Sequence, residues 1–269
     1  MTEVIAPLGF TEPLPVRLKF HANDRTGDVL NTVPRDARIE DARSRSKPPS
    51  LDVEGFTLIT HQSKVQNFRD TEEVERVYGE EIRQLLLELT GADGVEIRGA
   101  AVLRFGERSQ DSGAHNNSRP GRFVHIDASD AAAGFFNSQL AVPEGRRLKR
   151  AVQYNVWRSI TPPPQDVPLA VCEAGSIDPK DFVFADALFD TDGEILMSFE
   201  SVLLQYNPMQ RWVFFANMRP DEALIFKTND TQPGTAHHVP HGAFDDPNCP
   251  PDTLPRASVE MRATAFWYE

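Results

Sequence analysis

Beyond Gly94 the chain breaks into short runs rich in β-branched and aromatic residues, divided by Pro- and Gly-rich turns. The runs cover residues 95–105, 122–126, 151–160, 169–172, 181–184, 210–215, 223–228 and 257–268, and 55–60 is a further short one. Many short strands without intervening helical patterns predict an all-β barrel or sandwich rather than a parallel α/β sheet. A different period holds between Asp70 or Thr71 and about Leu89. There Val74, Val77, Tyr78, Ile82, Leu85, Leu86 and Leu89 recur every three or four positions, which predicts a helix with one apolar stripe. Asp70 and Thr71 are both competent caps, and Gly91 is a stop. The first fifty residues show no sustained period. Within them, residues 41–50, with Arg43, Arg45, Lys47, Pro48 and Pro49, read as an exposed loop or arm. The expected fold is mainly β with helical support (α+β). It is expected to form a single domain over 1–269, with an N-terminal arm and support helix in 1–94 and a β core in 95–269.

Composition narrows the partners. The chain has 269 residues, 40% of them hydrophobic, enough for one sizeable core. Its formal net charge of −12 argues against nucleic acid or an anionic membrane as partner, since both demand a basic face. A local basic pocket for a small anion remains compatible. Cys172 and Cys249 are too few for a disulfide framework and fit a reducing compartment. The start, Met-Thr-Glu-Val-Ile-Ala-Pro, lacks the pattern of a secretion signal, and no segment approaches the ~20 apolar residues needed to span a bilayer. The expectation is a cytoplasmic protein acting on a small molecule.

The informative segment is Arg122-Phe-Val-His-Ile-Asp-Ala-Ser129. Positions two apart on a strand share a face, so His125 and Asp127 can aim at one point while Ile126 turns away. A two-His, one-carboxylate set suits a divalent transition metal and leaves positions open for non-haem Fe(II) chemistry. Taken alone, His-X-Asp is more often a pair of ordinary polar residues, and it needs a distant second histidine. Ala236-His-His-Val-Pro-His-Gly-Ala-Phe244 offers His237, His238 and His241, although histidines in Pro-rich loops commonly face solvent. Fifteen residues beyond His241 stands Arg256-Ala-Ser258, which sets a guanidinium fork and a hydroxyl on one strand face, a pairing suited to a carboxylate. An ion pair of Arg256 with Glu260 on that face would have to span about 13 Å along the strand.

In this order, His-X-Asp, distal His and Arg-X-Ser, the chain resembles the Fe(II)/2-oxoglutarate-dependent dioxygenases. More narrowly, it resembles the hydroxylase/desaturase family that includes gibberellin desaturase and AsaB-like natural-product oxidases. The resemblance rests on Gly55-Phe-Thr-Leu-Ile-Thr-His61, Arg122-Phe-Val-His-Ile-Asp127, Tyr154-Asn-Val-Trp-Arg158 and Pro168-Leu-Ala-Val-Cys172. Further along it rests on Pro220-Asp-Glu-Ala-Leu-Ile-Phe-Lys227, Pro240-His-Gly-Ala-Phe244 with Asp246-Pro247, and Pro255-Arg-Ala-Ser-Val-Glu-Met-Arg262. It implies a double-stranded β-helix (jelly-roll, cupin-like) and Fe(II) held by His125, Asp127 and His241, the last chosen by its Pro-His-X-Ala-Phe setting. It also implies 2-oxoglutarate gripped by Arg256 and Ser258, and O2-driven hydroxylation, desaturation or ring formation of a small, natural-product substrate with release of succinate and CO2. A retained Asp127 argues against a halogenase. Oxidases of this kind and size often pair, so a homodimer is a further expectation.

Other residues carry weaker expectations. Asn155 inside the barrel would bond cosubstrate or substrate, or else be a satisfied buried amide. Lys227 and Arg158 are candidate substrate contacts, with a strand end and the opposite strand face as the plainer readings. His115 stands in a Gly/Ser/Asn-rich loop that would cover the site or simply be solvated, and Arg262 reads as an outer-face residue or an anion binder. His237 and His238 would line the mouth. Two rival functions remain open at this stage. One is a cupin-like metalloenzyme that does not use 2-oxoglutarate; the other is a non-catalytic small-molecule binding barrel. A shared fold alone does not choose among them.

Overall fold

A computed structural model describes residues 2–269. In chain order the elements are β1 (Glu3–Thr11), β2 (Leu18–His21), β3 (Thr32–Asp41), β4 (Phe56–Thr60), the helix α1, β5 (Gly94–Ile97), β6 (Val102–Phe105), β7 (His125–Ile126) and α2 (Asp130–Ser138). There follow β8 (Leu148–Ser159), β9 (Leu169–Cys172), β10 (Phe182–Thr191), β11 (Glu194–Leu204), β12 (Trp212–Phe214), β13 (Glu222–Asp230), β14 (His241–Ala243) and β15 (Ala257–Tyr268). The helix α1 is continuous through Thr71–Glu73, a π-wound turn over Val74–Tyr78, and Gly79–Thr90.

The strands form two sheets of a double-stranded β-helix. The larger runs β1-β3-β12-β9-β14-β7-β11-β10-β2, the smaller β4-β13-β8-β15-β5, with β6 also paired to β15. Alternation along β8 and β15 divides the smaller sheet into two faces. Val152, Tyr154, Val156, Val259, Met261, Ala263 and Ala265 form one core with Val74, Tyr78, Ile82 and Leu86 of α1. The opposite face carries Asn155 and Trp157 on β8 and Ser258, Glu260 and Arg262 on β15. These rows lie level because Arg262 is paired with Asn155 and Glu260 with Trp157.

The predicted helix is present with its expected ends. Asp70 caps it by accepting from the Glu73 amide at 3.1 Å, and Gly91 closes it at φ +64, a conformation open to glycine without a Cβ penalty. Leu89, expected on the buried stripe, is 40% exposed. The buried stripe advances by fours through Val74, Tyr78, Ile82 and Leu86, so its next position is Thr90 and Leu89 falls to one side.

The N-terminal fifty residues differ from the expected arm. β1 and β3 pair along their full lengths and belong to the larger sheet. In β1, Val4, Ala6, Leu8 and Phe10 alternate inward with near-complete burial, and Pro7 in their midst concealed a period of two. Residues 41–50 are not a loose arm either: Arg43 binds Glu222, and Arg45 binds Glu40 and Glu173. The 95–105 run is two strands, β5 and β6. The 181–184 run is the start of a long hairpin, β10–β11, whose second strand and turn at Asp192-Gly193 were not anticipated.

Candidate functional site

His125 begins β7 and His241 begins β14, and the two strands are neighbours with His241 paired directly to His125. Asp127 follows β7 by one residue and keeps the alternation: Ile126 is fully buried in the core behind, while Asp127 turns to the same side as His125. The Nε2 atoms of His125 and His241 each lie 3.4 Å from Asp127 Oδ1, and the imidazole centroids are 4.3 Å apart. All three ligand atoms fall within 4.8 Å of one another. A divalent ion about 2.1 Å from each of two neighbouring ligand atoms separates them by about 3 Å, so this spacing accommodates one.

The tautomers suit a metal as well. His125 Nδ1 faces the Phe123 carbonyl at 3.0 Å and His241 Nδ1 the Val239 carbonyl at 3.3 Å. Each ring therefore donates its Nδ1–H to the backbone and turns the lone pair of Nε2 toward Asp127, an arrangement typical of metal-binding histidines. Burial, and then the neighbouring His241, push the His125 pKa down, which keeps that ring neutral and able to ligate. Burial alone would raise the Asp127 carboxyl. The Arg262 charge and the hydrogen bonds of the two histidines outweigh it and hold the group well below the usual carboxylate range.

Asp127 uses its two oxygens differently. Oδ1 faces the histidines, whereas Oδ2 accepts from Arg262 Nε at 3.0 Å and from Asn155 Nδ2 at 3.1 Å. Because Asn155 must present its amide nitrogen to a carboxylate, its Oδ1 points elsewhere, and that buried atom has no partner. Arg256, just ahead of β15, is buried with a relative exposure of 1%, and its Nε and Nη2 are also without partners. Its guanidinium stands 5.7 Å from the Trp157 ring centroid. Burial, together with Arg104 and Arg122 nearby, pushes the Arg256 pKa down to about 9. Unpartnered donors on a buried cation are groups that an anion would satisfy. Ser258 lies two residues on, with a long 3.4 Å bond to the Arg104 carbonyl.

A cavity of about 900 Å³ opens onto this site, with Asp127, Asn155 and Arg262 in its wall. Most of the remaining lining is apolar, including Leu103, Phe105, Phe136, Phe189, Met197 and Phe199. A second, small cavity of about 70 Å³ reaches His125 and Asp127 beside His21, Arg25 and Arg104. Asp127 and Arg262 line both cavities.

The other residues singled out from sequence lie elsewhere. Arg158 is fully buried on the face turned to α1, where it donates to Tyr78 Oη at 3.0 Å and the His61 carbonyl at 3.0 Å. Lys227, also fully buried, binds Asp230 at 2.7 Å and Asp52 at 3.3 Å beside the β13 bulge. Neither faces the cavity. His115 is exposed at the cavity's edge. His237 Nε2 lies 2.7 Å from Asp130 Oδ1 and its Nδ1 2.7 Å from the Asp230 carbonyl, with the His238 ring tilted beside it at 4.5 Å, so these two histidines form a separate cluster away from Asp127.

Several contributors escaped the sequence reading. Arg104 lines the small cavity, and although Arg262 was open as an anion binder, its partner Asp127 was not foreseen. Phe136 comes from α2 and Phe189, Met197 and Phe199 from the β10–β11 hairpin. The signal for the hairpin was present: Asp192-Gly193 between two β-prone runs is a strong turn marker.

Comparison with known proteins agrees with this geometry. The chain matches, over residues 10–266, the family described as "Oxidoreductase/YMDC permease-like domain". It is 31% identical over 257 residues to the hydroxylase/desaturase CTB9 of Cercospora beticola, covering 87% of this chain and 76% of that protein. The chain belongs to the hydroxylase/desaturase family of Fe(II)/2-oxoglutarate-dependent dioxygenases. A second hydroxylase/desaturase, asaB of Aspergillus flavus, is 31% identical over 201 residues, spanning 69% of this chain and 88% of the relative. Among solved structures, the "iron and alpha-ketoglutarate-dependent endoperoxidase NvfI with different conformation" superposes with a TM-score of 0.85 at 25% identity, covering 100% of this dioxygenase and 99% of the other chain.

Proposed function

We propose that this oxidoreductase holds one Fe(II) through His125 Nε2, Asp127 Oδ1 and His241 Nε2, and binds the distal carboxylate of 2-oxoglutarate at Arg256 and Ser258. The carrying observation is the convergence of two Nε2 lone pairs and one carboxylate oxygen on a common point, with both Nδ1–H groups committed to backbone carbonyls. The orphaned Nε and Nη2 of Arg256 support the cosubstrate part. With iron and 2-oxoglutarate bound, the chemistry supplied is reduction of O2 coupled to decarboxylation of the cosubstrate to succinate and CO2 and to oxidation of a substrate C–H bond.

The protein's own part is positional. Arg256 and Ser258 fix the far end of the cosubstrate, which settles where its keto-acid end falls relative to the histidines. Arg262 and Asn155 keep Asp127 ionised and oriented. The Phe-, Leu- and Met-lined cavity accepts an apolar small molecule, of the natural-product type, and excludes water from the reacting carbon. Arg158 and Lys227 tie elements together and are left out of the substrate contacts. His115 stays with the cavity's rim. Residues 1–269 act as a single dioxygenase domain, since β1 and β3 belong to the sheet that carries His125 and His241.

No helix is long and apolar enough to cross a membrane among the described residues. We also take the enzyme to work in the cytoplasm, which its two unbridged cysteines support, and to pair as a homodimer.

Anaerobic addition of Fe(II) and then 2-oxoglutarate tests the assignment. A weak visible charge-transfer band should appear with the wild type and be missing in His125→Ala. A folded, iron-loaded wild type without the band would remove the cosubstrate from the reading.

A further inference from the structure

Arg262 is placed where no substrate-anchoring or purely structural arginine needs to be. Its Nε donates to Asp127 Oδ2 at 3.0 Å, and its Nη2 lies 2.8 Å from Glu260 Oε1 as an ion pair without hydrogen-bond geometry. Nη1 has no hydrogen-bond partner among the described residues. The side chain lines both the large and the small cavity and so stands in the partition between them. Asn155 holds the same Oδ2 at 3.1 Å from the neighbouring strand, level with Arg262 in the sheet.

A carboxylate can bind a cation through one oxygen or through both. With both lone-pair directions of Oδ2 engaged by Arg262 and Asn155, only Oδ1 remains for an ion shared with His125 and His241. We propose that Arg262 is a positioning residue: it reserves Oδ1 of Asp127 for the metal, making the carboxylate a one-oxygen ligand and keeping the remaining coordination positions free. The proposal rests on His125, Asp127 and His241 being the iron ligands. Charge neutralisation by itself would be served by any nearby cation. The Nε–H of a planar guanidinium, aimed at Oδ2, adds a defined direction, and that distinguishes arginine from lysine here.

The experiment titrates metal-free protein anaerobically with Fe(II), and in parallel with Co(II), whose visible bands report coordination number. Wild type and Arg262→Gln, Arg262→Lys, Arg158→Gln and His241→Ala variants are compared. Outer partners of metal ligands typically change affinity by about 10–100-fold, so Arg262→Gln should weaken binding by that factor and shift the Co(II) bands toward higher coordination. Arg262→Lys keeps the charge that Asp127 needs for folding and should fall between. Arg158→Gln, which removes an equally buried arginine from the other face, should lose stability while metal affinity stays within about twofold. If Arg262→Lys matches the wild type in both affinity and bands, charge is sufficient and the proposal fails. If Arg262→Gln folds and binds like wild type, it fails as well. Failure of the iron site itself would look different, because wild type and His241→Ala would then bind alike.

Discussion

Replacing Arg256 by methionine separates a binding residue from a stabilising one with unusual clarity. The Arg256 guanidinium is buried, lacks protein partners at two nitrogens and has its pKa pushed down to about 9 by burial, Arg104 and Arg122. At 1.36 kcal/mol per pH unit, that displacement corresponds to about 5 kcal/mol of disfavour for the charged form in the folded state. The folded pKa of this base lies below its unfolded value. The cost is therefore present in full below about pH 9 and is relieved only as the pH rises beyond it. Relaxation around the site absorbs part of this. Recovery of about 2 kcal/mol in Arg256→Met would raise the melting temperature by about 4–8 °C for a chain of this size.

Cosubstrate binding should respond in the opposite sense. Two charge-assisted hydrogen bonds at about 1.5–3 kcal/mol each correspond to a loss of about 10²–10⁴-fold in 2-oxoglutarate affinity. The assay is thermal denaturation of metal-loaded protein under nitrogen, with and without 2-oxoglutarate. Wild type should gain about 2.7 kcal/mol of stability at a hundredfold excess over Kd, and Arg256→Met should gain nothing. A variant less stable than wild type without 2-oxoglutarate, yet equally stabilised by it, would refute the reasoning.

Other outcomes follow from the same geometry. Asp127→Asn should abolish tight Fe(II) binding, read by metal analysis after desalting, because the amide loses the charge and turns an N–H donor toward Arg262 or the metal. Arg158→Gln should lower stability by about 2–4 kcal/mol in chemical denaturation, because the buried Tyr78 hydroxyl and His61 carbonyl lose a charged donor. Burial and then His237 push His238 down to about 4, below its unfolded value, so the fold should lose up to about 3 kcal/mol as the pH falls from about 6.5 to 4; His238→Phe should flatten that slope in acid denaturation. Phe199→Trp, which fills the large cavity, should suppress succinate release driven by bulky apolar substrates while leaving the 2-oxoglutarate charge-transfer band intact.

Much of the site was legible because it obeys local periods. The two-residue step placed His125 with Asp127, and the same step placed Arg256 with Ser258, so a strand assumption was enough. The helix was legible through its stripe and its caps. What escaped depends on neighbours distant in sequence. Arg262 follows Arg256 by an even number of residues and so shares its face, but nothing local says that Asp127 stands opposite. Lys227 and Arg158 carry the charges expected of binding residues, yet a bulge and the helix α1 turn them into internal ties. β1 was hidden because proline interrupts a pattern that its partner strand nonetheless satisfies, and β11 because its outer half, Glu194–Ser198, is exposed on both faces and shows no alternation.

The pairing of β7 with β14 has a consequence for how the enzyme is made. His125 and His241 are separated by much of the barrel in sequence and meet only when β7, from the middle of the chain, lies beside β14. A growing polypeptide thus exposes the first histidine and the aspartate long before the third ligand emerges. During that interval neither can hold iron firmly. Arg262 emerges later still, so the proposed ligands and the arginine beside the carboxylate come together only once synthesis has passed residue 262. If these three residues hold the iron as proposed, a product stalled before residue 241 lacks one ligand and would release the metal rather than carry it unguarded.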